Sequence, residues 1–168
     1  MAFNIVGGSF VSFAIYSELV QRDQRLFEAN ENLTSTVINE LLALASQRIL
    51  TQIRNTDWWQ DYCFSRNASL NYDMRLLPNV NPLYIKAREQ EFKDLNIYFA
   101  MQEYVLPRVA DFGNPESAEV QKMKHYKDSY HFLFKEVIEA GDWYDFDADG
   151  TIETNEKAPS RVNLVRIR

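Results

Sequence analysis

The residues from Asp145 to Glu156, DFDADGTIETNE, place acidic side chains at the first, third, fifth, ninth and twelfth positions of a loop with glycine at the sixth. That is the spacing of an EF-hand calcium loop, in which hard carboxylate and carbonyl oxygens surround a hard cation and the glycine makes the sharp turn. Read so, Asp145, Asp147 and Asp149 supply side-chain oxygens to Ca2+, Thr151 its backbone carbonyl, Glu153 a direct or water-mediated ligand, and Glu156 a bidentate carboxylate. The competing reading is an acidic turn whose side chains cap their own backbone while Gly150 takes a left-handed conformation. The flanks are not those of a helix–loop–helix hand. Gly141, Asp142, Trp143 and Tyr144 separate the loop from the helical pattern before it, and Pro159 restricts any helix after it.

Little else in the chain has the spacing of catalytic chemistry. His125 and His131 lie six apart in one helical pattern, on different faces, and neither has a serine or cysteine at a recognisable elbow. Gly7-Gly8 stands apart from any phosphate-binding motif. Cys63 is the single cysteine, which excludes an internal disulfide and, with two histidines, a Cys/His zinc cluster; it reads as a buried small hydrophobe. The expectation is a protein that is not an enzyme. An acidic-site hydrolase would rest on the abundance of carboxylates alone.

Charge is distributed unevenly. The last twelve residues hold Lys157, Arg161, Arg166 and Arg168 without an acid, so the net charge of −6 divides into −10 on the body and +4 on the tail. An acidic body argues against wrapping nucleic acid, where affinity comes from clustered cations, while a short basic tail suits an acidic protein surface. The tail sequence RVNLVRIR intersperses apolar and polar residues, fitting a strand added to a partner's edge or an arm laid in an apolar groove. Every apolar run is broken by charge well short of the roughly 20 residues a membrane span needs, and MAFNIVGGSF lacks the basic head and apolar block of a signal peptide; the expectation is a soluble protein made in the cytoplasm.

The elements that must position the loop read as helices. From Thr36 to about Asn55, Ile38, Leu41, Leu42, Ala45, Ile49 and Ile53 recur at three- and four-residue steps, with Thr34, Ser35 or Thr36 as cap. Asn81-Pro82 predicts a second helix running to about Val105, stopped by Pro107. Asn114-Pro115 predicts a third, ended by Gly141, and Phe10 to Phe27 gives a weaker pattern that could be two short pieces. Between the first two strong helices lies a long connection carrying Trp58, Trp59, Tyr62 and Phe64, which reads first as an aromatic lid on the protein's own core and second as an interface. The composition, 46% hydrophobic and 14% aromatic over 168 residues, supports one domain with a real core.

Three segments in this order resemble the head-tail connector (adaptor, or head-completion) proteins of tailed bacteriophages. They are LTSTVINELLALASQRILTQIRNTDWW from Leu33 to Trp59, YIKAREQEFKDLNIYFAMQEYVLPRV from Tyr84 to Val109, and the tyrosine-rich last helix leading through the DxDxDG turn to a tail ending in VRIR. The resemblance covers most of the chain from about Phe10 and rests on the order and type of parts. It implies an all-α fold, a three- to four-helix bundle with a long aromatic connection and an extended C-terminal arm, divided as a helical connector domain (1–144), an acidic EF-hand-like loop (145–156) and a basic arm (157–168). It also implies a structural subunit of the phage neck in the virion, forming a homo-oligomeric ring of about twelve copies under the portal. The arm residues Arg161, Val162, Leu164, Val165, Arg166, Ile167 and Arg168 would bind the portal protein, a tail or terminator protein would meet the other side, and DNA would pass through the lumen without specific binding. The reading from another class is a small calcium-binding module with a single EF-hand-like loop.

Overall fold

The computed structural model describes residues 3–114 and 116–156. Pro115 and the arm from Lys157 to Arg168, with the partner-binding residues expected there, lie outside the described residues. The chain is predominantly helical, but it opens with a β-hairpin. β1 (Asn4–Val6) pairs antiparallel with β2 (Ser9–Ser12), and Gly7 and Gly8 between them both have positive φ (58° and 81°), as a tight two-residue hairpin turn demands. The expected helix from Phe10 is therefore corrected: Phe10 belongs to β2, and two short helices follow, α1 (Tyr16–Val20) and α2 (Gln24–Ala29).

α3 (Ser35–Arg54) forms as its stripe predicts, capped by Thr34 Oγ1, which accepts the Val37 N–H. Ile38, Leu41, Leu42, Ala45, Ile49 and Ile53 are all buried, joined by Ser46, whose hydroxyl accepts the Phe13 N–H and donates to the Leu42 carbonyl. The aromatic connection is itself partly helical. α4 (Asp57–Arg66) starts at the Thr56 cap, and 3-10 turns at Ala68–Leu70, Met74–Leu76 and Pro82–Tyr84 follow, each begun by an Asn or Asp whose side chain accepts the N–H two residues on.

Asn81-Pro82 thus opens a turn rather than the long helix. α5 (Glu89–Ala100) begins later, at Arg88, held in the left-handed region (φ 58°) while its guanidinium pairs with Asp142. Pro107 also acts differently from a stop. Its ring obstructs the carbonyl four residues back, so the helix widens into a π-helical turn (Met101–Val105) and tightens into a 3-10 turn (Leu106–Arg108) before ending. α6 (Ala118–Ala140) is capped by Ser117, whose Oγ accepts the Val120 N–H, and ends at Gly141 in the left-handed conformation, as expected.

α5 packs against both α3 and α6, and β2 lies on α3. Asn96 on α5, fully buried, locks the hairpin exit into this layer: its Oδ1 accepts the Ala14 N–H and its Nδ2 donates to the Leu42 carbonyl. No helix among the described residues is long and apolar enough to cross a membrane.

Candidate functional site

The acidic loop starts from a rigid base. Trp143, with no exposed surface, donates its indole N–H to the Val137 carbonyl and packs on Trp58 and Phe92. The backbone then pairs across the chain: Lys86 N–H donates to the Trp143 carbonyl and Asp145 N–H to the Tyr84 carbonyl, both at 2.9 Å, in an antiparallel bridge. Asp145 is placed by this bridge before any ligand chemistry begins.

Within the loop Asp145, Asp147, Asp149 and Glu156 each accept at least one backbone N–H. Asp145, fully buried, accepts the Ala148 N–H through Oδ1 (2.7 Å) and the Gly150 N–H through Oδ2 (2.9 Å). Asp147 Oδ1 accepts from Asp149 N–H, and Asp149 Oδ1 from both the Thr151 N–H and its hydroxyl. Ala148 and Gly150 take positive φ (63° and 98°), so the turn folds back on the Asp145 carboxylate. Glu156, 2% exposed, closes the circuit: Oε1 accepts the N–H groups of Phe146 (2.7 Å) and Asp147 (3.1 Å), and Oε2 that of Glu153 (3.0 Å).

Of the six sequence-expected ligands, Asp145, Asp147 and Asp149 come together, each offering an oxygen within 4.8 Å of the others. That separation suits one ion, since Ca2+ holds oxygens at about 2.3–2.6 Å and two ligands on opposite sides of it stand about 5 Å apart. Glu156 is turned to three backbone amides, Glu153 is exposed, and Thr151 is bonded to Asp149. The two exposed carboxylates differ. The Thr151 N–H and hydroxyl hold Asp149 below the usual carboxylate range. The Asp149 N–H pulls Asp147 down, but desolvation and the neighbouring charges of Asp149 and Glu156 outweigh it and leave Asp147 raised.

Beside the loop runs a groove of about 610 Å3 that sequence reasoning missed. One wall is α4, with Trp59, Tyr62 and Cys63; the second is the 76–84 connection, with Leu76, Pro78 and Tyr84; the third is the loop itself, with Tyr144, Phe146, Asp147, Asn155 and Glu156. The walls are tied together by Trp59 Nε1 donating to the Pro78 carbonyl, by the Asn81 N–H donating to the Tyr144 hydroxyl, and by the Arg66 guanidinium donating to the Asn155 carbonyl while lying over Tyr62. Phe146 stacks on Tyr62 and Trp59. The signal available in the sequence was the pairing Trp58–Tyr62 and Trp59–Cys63 at four-residue spacing behind the Thr56 cap, which marks α4 as a helix with an aromatic face.

Burial pushes the Cys63 thiol up to about 11 and the Tyr144 hydroxyl up to about 12, so both stay neutral at pH 7. No family model matches the chain, and neither does any curated protein or solved structure.

Proposed function

We propose that the protein is a non-enzymatic structural subunit of a bacteriophage neck, assembling as a ring between portal and tail. The observation that carries the proposal is the clamp at Glu156. Three backbone N–H groups hold this buried carboxylate at the very point where the basic segment 157–168 begins, so a helical body delivers a cationic arm from a fixed position. A body of charge −10 beside an arm of +4 supports the same division of labour: the arginines of the arm pair bidentately with carboxylates on the portal, and the acidic body repels DNA at short range, within the roughly 10 Å that screening leaves. The order of segments resembling head-tail connector proteins supports it as well.

The test is the position of the protein in particles of the phage whose genome encodes it. Mass spectrometry should find it in purified virions and cryo-electron microscopy should place it as a ring below the portal. Its absence from the particle overturns the reading. A chain lacking residues 161–168 should keep its circular-dichroism melt and fail to complement a phage without the gene, giving heads that leak DNA or lack tails.

A second reading, a Ca2+-binding loop, is favoured by the three aspartate oxygens within 4.8 Å of one another. It is compatible with the first: an ion shared by Asp145, Asp147 and Asp149 stiffens the turn that leads to the arm.

A further inference from the structure

The groove between α4, the 76–84 connection and the acidic loop is open, with aromatic and aliphatic side chains along its walls and polar ones at its rim. Leu76 on its wall stands 56% exposed, and Leu83, Tyr72 and Met74 are exposed elsewhere on the same stretch of chain. An exposed leucine on the wall of an open groove lined by aromatic rings suits a docking surface. The exposed acidic group on its rim is Asp147, since Glu156 is buried and turned to three backbone amides, and Arg66 is engaged with the Asn155 carbonyl and the Tyr62 face. The surface therefore calls for a peptide that is apolar with added positive charge.

We infer that its occupant is the segment Lys157–Arg168 of the same chain. Three observations on that segment and its departure point converge. Asn155 and Glu156, which immediately precede it, line the groove, so it leaves from the rim. Its Val162, Leu164, Val165 and Ile167 supply apolar side chains for a cavity in the size range that takes a drug-sized ligand, and its cations Lys157, Arg161, Arg166 and Arg168 complement Asp147 on the rim. Twelve residues reach at most about 40 Å when extended, enough to return along a groove that begins where the segment begins. Tethering places the segment at an effective concentration of about millimolar, so even a weak intrinsic affinity keeps the groove filled. In the neck assembly proposed above the portal would have to displace it, which makes the groove a hold that keeps the arm from other acidic surfaces until the partner competes. The inference itself rests on the groove and does not require the neck assignment.

The experiment uses the full chain with a benzoyl-phenylalanine photo-crosslinker in place of Val165, prepared as an equal mixture of 14N- and 15N-labelled protein. Irradiation followed by mass spectrometry should give crosslinks to residues 70–84 and 144–147 within chains of a single isotope. Leu76→Asp, on an exposed groove residue, should reduce their yield at least tenfold with an unchanged melting temperature. Crosslinks that join 14N to 15N chains would overturn the assignment in favour of a second copy as occupant, and crosslinks scattered over the body would overturn the groove as the seat. Presence or absence of the protein in virions, the test of the neck assignment, is read separately.

Discussion

Replacing Glu156 with alanine removes one carboxylate that three N–H groups share. A hydrogen bond to a charged acceptor contributes about 1.5–3 kcal/mol, which would give more than 4 kcal/mol if the three bonds were independent and fully buried. They are not. All three are only part-buried, so water replaces part of what is lost, and the expected loss is about 3 kcal/mol. For a chain of this size that corresponds to a fall in Tm of about 10 °C. Glu156→Gln should fall between, because its amide oxygen can still accept from Phe146 and Asp147 while its NH2 meets the Glu153 N–H with no acceptor. The assay is urea unfolding followed by tryptophan fluorescence, since Trp58 and Trp59 pack against Phe146 in the loop. Should the loop open before the rest, the loss will appear first as faster amide exchange at Phe146, Asp147, Ala148 and Gly150. An alanine variant within about 0.5 kcal/mol of wild type, with unchanged exchange at those four amides, would refute the clamp.

Ile49→Asp buries an unpaired charge on the α3 stripe, where Ile49 has no exposed surface, and should cost several kcal/mol and abolish the cooperative melt. Stability should also fall steeply at alkaline pH: Cys63 and Tyr144 have folded pKa values raised by burial to about 11 and about 12, and Tyr130 is raised in the same way, so all three contributions are present below their unfolded values and are lost as pH rises through the window of about 9 to 12. Urea unfolding at pH 8 and pH 11 should differ by on the order of 5 kcal/mol, and equal midpoints would contradict the burial of these groups. Calorimetry should detect Ca2+ binding to the wild type at about millimolar concentration and none to Asp147→Ala; silence in both would leave the loop an acidic turn whose bonds are all internal.

What the sequence could disclose followed the strength of its periodic signals. The α3 stripe was fully legible because six apolar or small positions repeat on one face of a helix with a clean cap, and the buried set adds only Ser46 to it. The starts of α5 and α6 were misplaced because Asn-Pro serves equally well to open a turn: Asn81 caps a 3-10 turn, and α6 takes Ser117 as its cap instead of Asn114. The hairpin was hidden because its strands are three and four residues long, although Gly7-Gly8 is the turn signal for it. The aromatic lid on the core was anticipated correctly, with Trp58, Trp59 and Tyr62 buried, yet the groove could not be: it is made by three segments whose approach depends on the Tyr84–Asp145 pairing and the Trp59–Pro78 bond, neither of which leaves a local pattern. In the loop, spacing alone located the three aspartates but could not decide how Glu156 would be used, because a carboxylate at the twelfth position serves a cation or backbone amides equally well.

Asp147 belongs to both surfaces, offering an oxygen to the aspartate trio while lining the groove. Any cation in the loop and any cationic segment in the groove therefore draw on the same negative charge, and their coupling must be unfavourable in sign. By linkage the effect is reciprocal: Ca2+ should weaken occupancy of the groove by the same factor by which the segment 157–168 weakens Ca2+ binding. The surface position of Asp147 and its screening by salt keep the effect small. Ca2+ titrations of the full chain and of a chain carrying Arg161→Gln, Arg166→Gln and Arg168→Gln measure one side of this; crosslinking from position 165 with and without Ca2+ measures the other. Tighter Ca2+ binding by the neutralised chain, with lower crosslinking yield in Ca2+, is the expected pair. Tighter Ca2+ binding in the presence of the intact basic segment would reverse the sign and rule out Asp147 as the shared residue.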